Sequence, residues 1–141
     1  MQDRPTSVEL LEAAADFVDR ELVSTIEGAR QFQARVVANV MRIVAREIKL
    51  EDPLVRGEVK ALARLLGRDA PHLHSLDDLR AAAASMGEEL TAKIRAGAAD
   101  TGDWRREVLA VVRQSVEDKL RIANPRYLES DIAIRNSRKE I

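Results

Sequence analysis

The run Phe32-Gln33-Ala34-Arg35-Val36-Val37-Ala38-Asn39-Val40-Met41-Arg42-Ile43-Val44-Ala45-Arg46-Glu47-Ile48 decides the fold class. Projected at about 100° per residue, it separates into two faces. Val36, Val37, Val40, Ile43, Val44 and Ile48 fill one broad arc. Arg35, Arg42, Arg46 and the following Lys49 line the other, with Asn39 at its edge. Apolar residues that return every three or four positions mark a helix; a strand would alternate every second residue. The spacing predicts a helix from about Ala29 to Leu50, with Gly28 breaking the chain ahead of it. Glu47 is the exception, a carboxylate inside the apolar arc between Val36, Val40 and Val44.

The same period extends outward in both directions. A first helix is predicted over about Ser7 to Val23, opened by the capping box of Thr6 and Glu9. Val8, Leu11, Ala15, Val18 and Leu22 form its inward stripe, and Leu10, Ala14 and Phe17 widen it enough to imply two neighbours. Asp52-Pro53 reads as an N-cap followed by proline at the first helical position, so a third helix is expected to begin there and stop at Gly67. Ser75 with Asp78 caps a fourth, carrying Leu79, Met86, Leu90 and Ile94; Ala83 and Gly87 leave that face open to close approach. A fifth runs from about Asp103 to Ala123, with Trp104, Val108, Val111, Val112 and Val116 inward, and Asn124-Pro125 stops it. With strand signals nearly absent and connections short, the prediction is all-α: an up-and-down helical bundle of about five helices. It comprises one domain over 1–125 and a C-terminal tail or docking arm over 126–141.

Composition narrows the function classes. Hydrophobic residues make up 45%, but only Phe17, Phe32, Trp104 and Tyr127 are aromatic, so the core should be aliphatic. A net charge of −1 gives no global pull toward nucleic acid or anionic lipid. No aromatics interleave with basic residues and no groove-reading motif is present, so nucleic acid is not an expected partner. The chain has no cysteine, which removes disulfides and thiolate chemistry. No apolar run approaches the roughly 20 residues that cross a bilayer, and the opening residues carry no apolar signal core. A cytoplasmic, soluble protein is expected.

Lys119 projects into the apolar arc of the fifth helix, between Val108, Val112 and Val116, as Glu47 does in the second. The sharper expectation is a partly buried Glu47–Lys119 pair. The plainer one, favoured here, is that both stand near helix ends and snorkel to water. The stripe of Arg35, Arg42, Arg46 and Lys49 could hold a phosphate, a CoA-like ligand or an acidic patch. The plainer alternative, again favoured, is a solvated face paired to acids of a neighbouring helix. His72 and His74, near Asp69, Asp77 and Asp78, lack any specific ligand spacing, so no metal site is expected. No serine sits in a G-x-S-x-G elbow, and the six glycines do not cluster into a phosphate loop. No catalytic residue and no cofactor are expected. An enzyme using Glu47 as acid/base with Lys119 or an arginine is the weakest alternative, since one carboxylate near one cation is common.

The run Phe32–Asn39, continuing through Ile43-Val44-Ala45-Arg46-Glu47, resembles an uncharacterised bacterial family of small helical proteins, a domain of unknown function. The opening Met1-Gln2-Asp3-Arg4-Pro5 and the closing Asn124-Pro125-Arg126-Tyr127-Leu128 look like the same family. The resemblance implies neighbours encoded beside or fused to its members: phosphotransferases of the aminoglycoside and choline kinase type, and acyl-CoA dehydrogenases. It implies weight on Arg35, Asn39, Arg46, Glu47, Asn124 and Arg126 without assigning any a catalytic role. The expected function is a non-catalytic accessory or interaction module for such an enzyme, using the basic face (Arg35, Asn39, Arg42, Arg46) or the tail from Arg126. The alternative is a bundle that binds a small anionic metabolite such as an acyl-CoA. The wide apolar arc of the first helix and the apolar tail residues also suggest a homodimer.

Overall fold

In a computed structural model describing residues 3–130, Thr6 opens the first helix, α1 (Ser7–Phe17). Its Oγ1 accepts from the Glu9 N–H at 3.2 Å, and the Thr6 N–H donates to Glu9 Oε2 at 2.6 Å. The capping box is complete. The chain then widens into a π turn over Val18–Leu22 and ends in the three-residue α2 (Val23–Thr25). A π turn takes up one extra residue and shifts the helical phase of the residues after it. Val23 is therefore buried where the regular period placed Leu22, and Leu22 is exposed.

The second and third predicted helices are one: α3 spans Gly28–Leu65, 38 residues, with Pro53 inside it. Proline there removes one N–H and leaves the Lys49 carbonyl without its helical donor, at a cost of about 3 kcal/mol. Contacts on both sides of the proline hold the helix straight through. Glu51 receives the Arg80 guanidinium, and Arg56 grips Asp52 at 3.1 Å while donating to the Leu73 carbonyl at 2.9 Å. The Asp-Pro signal is local, and tertiary packing overrides it. α3 stops where Gly67 takes a φ of 72°, which lets the Arg68 N–H reach the Ala63 carbonyl at 3.0 Å.

α4 (Leu76–Arg95) opens on Ser75, whose Oγ accepts from the Asp78 N–H at 3.0 Å. α5 (Gly102–Ala123) ends at Asn124, as predicted. Asn124 then accepts from the Tyr127 N–H through its Oδ1 at 3.3 Å, and a short helix over 125–130 comes next with Pro125 in its first position. The remainder of the expected arm, 131–141, lies outside the described residues.

The pairs that meet fix the helix directions. α1 runs antiparallel to the front of α3: Asp16 meets Arg42, and Gln31 Nε2 donates to the Val23 carbonyl at 3.0 Å. α5 runs antiparallel to the rear of α3: Trp104 meets Leu65, Ser115 meets Glu58 and Ile122 meets Arg46. α4 runs in the same sense as α3, with Arg80 on Glu51 and Arg68 on Glu89, because the loop over 66–75 first travels back along the spine. Among the described residues the result is an all-α bundle of α1 to α5, followed by the short helix over 125–130, and no strand occurs.

The core is aliphatic and sits behind Pro53. Val59, Leu62, Ala63 and Leu65 of α3 pack on Leu79, Met86 and Leu90 of α4 and on Val108 of α5. Trp104 plugs one end and satisfies the Leu65 carbonyl through its indole N–H at 3.3 Å. In front of Pro53 the residues buried between α1 and α3 are mostly alanines: Ala15, Ala34, Ala38 and Ala45, with Val23. The valine arc of α3 faces outward.

Candidate functional site

The basic stripe divides into residues held by the fold and residues left in solvent. Arg42 bridges back to α1, its Nη2 lying 3.1 Å from Asp16 Oδ1 and 3.0 Å from Asp19 Oδ2. Bonding to Asp16 raises its pKa above the ordinary value and outweighs the opposing effect of burial. Arg46 bridges forward: its Nε donates to the Ile122 carbonyl at 2.6 Å. That carbonyl belongs to the last turn of α5, where the helix leaves its acceptors unpaired and its dipole is negative. Burial, with the charge of Arg42, lowers the Arg46 pKa from its ordinary value. Arg35, Asn39, Lys49 and Arg126 are exposed, and their side chains make no hydrogen bond or ion pair with any described residue.

The Glu47–Lys119 pair, the sharper of the two readings, does not form. Lys119 Nζ instead lies 3.1 Å from Glu58 Oε1 and donates to Ser115 Oγ at 2.6 Å, while Ser115 Oγ donates to the same Glu58 oxygen. Glu47 is half-buried and borders a cavity of about 240 Å³ with Glu51, Glu58, Asp118 and Lys119, without a hydrogen bond or ion pair among the described residues. The reason is the unbroken spine. Glu58 lies three turns beyond Glu47 on one continuous helix, whereas a break at Asp52-Pro53 would have sent it elsewhere. Lys119 itself is largely exposed, as the plainer expectation held.

Glu51 and Glu58 are the residues that sequence reasoning missed. Ile48, Glu51, Val55, Glu58 and Leu62 alternate by three and four along one face of α3, so two carboxylates interrupt an apolar line. Each is met by a cation from a neighbouring helix. Arg80 grips Glu51 with both limbs of its fork, Nε to Oε1 at 2.7 Å and Nη2 to Oε2 at 2.5 Å, while Nη1 reaches Asp77 at 3.0 Å. These bonds raise the Arg80 pKa well above its ordinary value.

Between α4 and α5 lies a groove of about 620 Å³. The two helices do not approach each other closely along their backbones, although Val108 of α5 shares the core with Met86 and Leu90 of α4. Val55 and Leu62 form the floor, Leu90 and Ile94 one wall, Val112 and Val116 the other. Arg80 and the Glu58–Ser115–Lys119 group stand at one end. Ser115 Oγ stands between the two charges, accepting from Lys119 and donating to Glu58, and so links the cation of α5 to the carboxylate of α3. Among the described residues no three His, Asp or Glu side chains come together as metal ligands. No helix among them is long and apolar enough to cross a membrane.

No curated protein and no solved structure matches the chain. A family model described as a domain of unknown function, DUF6285, matches residues 24–127. The matched stretch contains the whole of α3, α4 and α5 and ends in the Asn124–Tyr127 turn; α1 and the opening residues lie outside it. The run from Phe32 to Glu47 and the Asn124-Pro125 turn thus fall within a recognised domain, and the chain belongs to the DUF6285 family, whose function is unassigned.

Proposed function

We propose that this chain is a non-catalytic interaction module that takes an amphipathic helix of a partner enzyme into the groove between α4 and α5. One observation carries this: α4 and α5 each come close to α3 but not to one another along their backbones, and an apolar channel floored by Val55 and Leu62 stays open between them. Anchors at helical spacing dock into such channels. The walls offer the matching spacing through Ala83, Gly87, Leu90 and Ile94 on one side, and Val112 and Val116 on the other. Gly87 and Ala83 allow a backbone to come close. Following the family resemblance, the partner is a phosphotransferase-like or acyl-CoA dehydrogenase-like enzyme encoded nearby. The test is co-purification of the chain with those gene products. A complex that survives at micromolar concentration and is lost in Val116→Glu supports the proposal. Failure of the wild-type chain to retain any of them refutes it.

A second function is favoured by the groove's size alone. About 620 Å³ falls within the range of small-molecule pockets, and an acyl chain with an anionic head near Lys119 and Arg80 would suit its polarity. Both cations are already paired with Glu58 and Glu51, which ranks this below the helix. A thermal-shift series with CoA esters separates the two: at a hundred times the dissociation constant, binding adds about 2.7 kcal/mol. A flat response across chain lengths removes the metabolite.

A further inference from the structure

We infer that the front half of α3 is a two-fold interface at which a second copy of this chain packs, its own α3 crossing antiparallel over Val40. Phe32, Val36, Val40, Val44 and Ile48 succeed one another at intervals of four residues and form a single ridge along α3. All five are exposed, from 36% at Val44 to 68% at Phe32, although they belong to a helix already packed on α1. The alanine seam of Ala34, Ala38 and Ala45 faces α1, and Arg42 with Asp16 and Asp19 closes a second side; the ridge is the side left open.

Three features select a second copy as the occupant. The ridge is symmetric about Val40: Val36 and Val44 stand four residues away, Phe32 and Ile48 eight. A two-fold axis through Val40 therefore lays Phe32 of one copy over Ile48 of the other and sets Val40 against its own mate, as an isologous contact requires. The area also fits. With Val37, the six exposed side chains present on the order of 500 Å², taking roughly 150–200 Å² for each large apolar group. One partner of a standard-size interface, about 800 Å², supplies apolar surface of the same order at an apolar share of about 65%. Finally, the axis supplies what Glu47 lacks. Glu47 and Gln33 stand seven residues either side of Val40, so Gln33 of the second copy comes level with the half-buried carboxylate that has no partner among the described residues. An amide is a suitable donor for it. The interface is separate from the α4–α5 groove and stands whether or not the groove takes a partner.

The chain has no cysteine, so introduced thiols report cleanly. Light scattering of the full chain at tens of micromolar should give twice 15.7 kDa. Val40→Cys should cross-link to itself with a short bis-maleimide. Phe32→Cys and Ile48→Cys should each fail alone and cross-link when mixed. Val40→Glu should halve the mass with the helical circular dichroism unchanged, since the site is exposed within one copy. A monomeric wild-type mass overturns the inference. So does a dimer in which Phe32→Cys links to itself while Val40→Cys does not, because that places the axis elsewhere.

Discussion

The two halves of α3 are built from the same residue types and do different things with them. Behind Pro53, leucine, valine and methionine from three helices close over one another, and the large side chains are inside. In front of it, alanines make the contact with α1, and the valines of α3, Ile48 and both phenylalanines face out. Alanine brings two helices close together but removes little apolar surface from water, whereas a buried leucine or valine contributes about 1.5–3 kcal/mol. The rear half is thus a core in its own right. The front half is a hairpin whose larger apolar residues stay exposed.

That contrast can be broken by substitution. Leu79 is 2% exposed in the rear core, and Leu79→Ala should lower the unfolding free energy by about 3 kcal/mol, measured by urea titration. A loss under 1 kcal/mol would mean the rear half is no tighter than the front. Ala38 is fully buried in the alanine seam, so Ala38→Leu forces α1 away from α3 and should cost about 2 kcal/mol. Hydrogen exchange should then quicken across α1 while α4 and α5 keep their protection. Acceleration throughout would show that the halves are not separable. The smallest effect sharpens the division within the basic stripe. Arg46→Met removes the donor to the Ile122 carbonyl and should cost about 1–1.5 kcal/mol, with fraying confined to the last turn of α5. Arg35→Met, on the same stripe and exposed, should stay within about 0.5 kcal/mol. Equal losses from the two would contradict the assignment of Arg46 as the link between α3 and α5.

Much of this architecture was legible in the sequence, and the misses share one physical cause. Capping residues are local, so Thr6, Ser75 and Asn124 marked their helix ends correctly. Pro53 is equally local, but the contacts that carry the helix across it come from Arg80 and Leu73, more than fifteen residues away. The same distance hides the acid that pairs with Lys119: a helix ending at the proline offers only Glu47 as a candidate, and Glu58 lies beyond it. The apolar arc of Val36, Val40 and Val44 was legible too. Period alone could not reveal that the alanines on the neighbouring side were narrow enough to win the contact with α1. Of the basic stripe, the sequence identified the residues but not their division into bridges, Arg42 and Arg46, and solvent-facing groups, Arg35 and Lys49.

The unbroken α3 also makes the molecule a lever. At 1.5 Å per residue the spine is about 57 Å long, and some 37 Å of it lies between Pro53 and Gly28. Proline is where a helix bends most readily. A change of about 10° at Pro53 would swing the Gly28 end by roughly 6 Å, while Glu51 and Arg80, close to the fulcrum, would scarcely move. The groove between α4 and α5 lies just behind that fulcrum and the valine ridge in front of it, on the two arms of one helix.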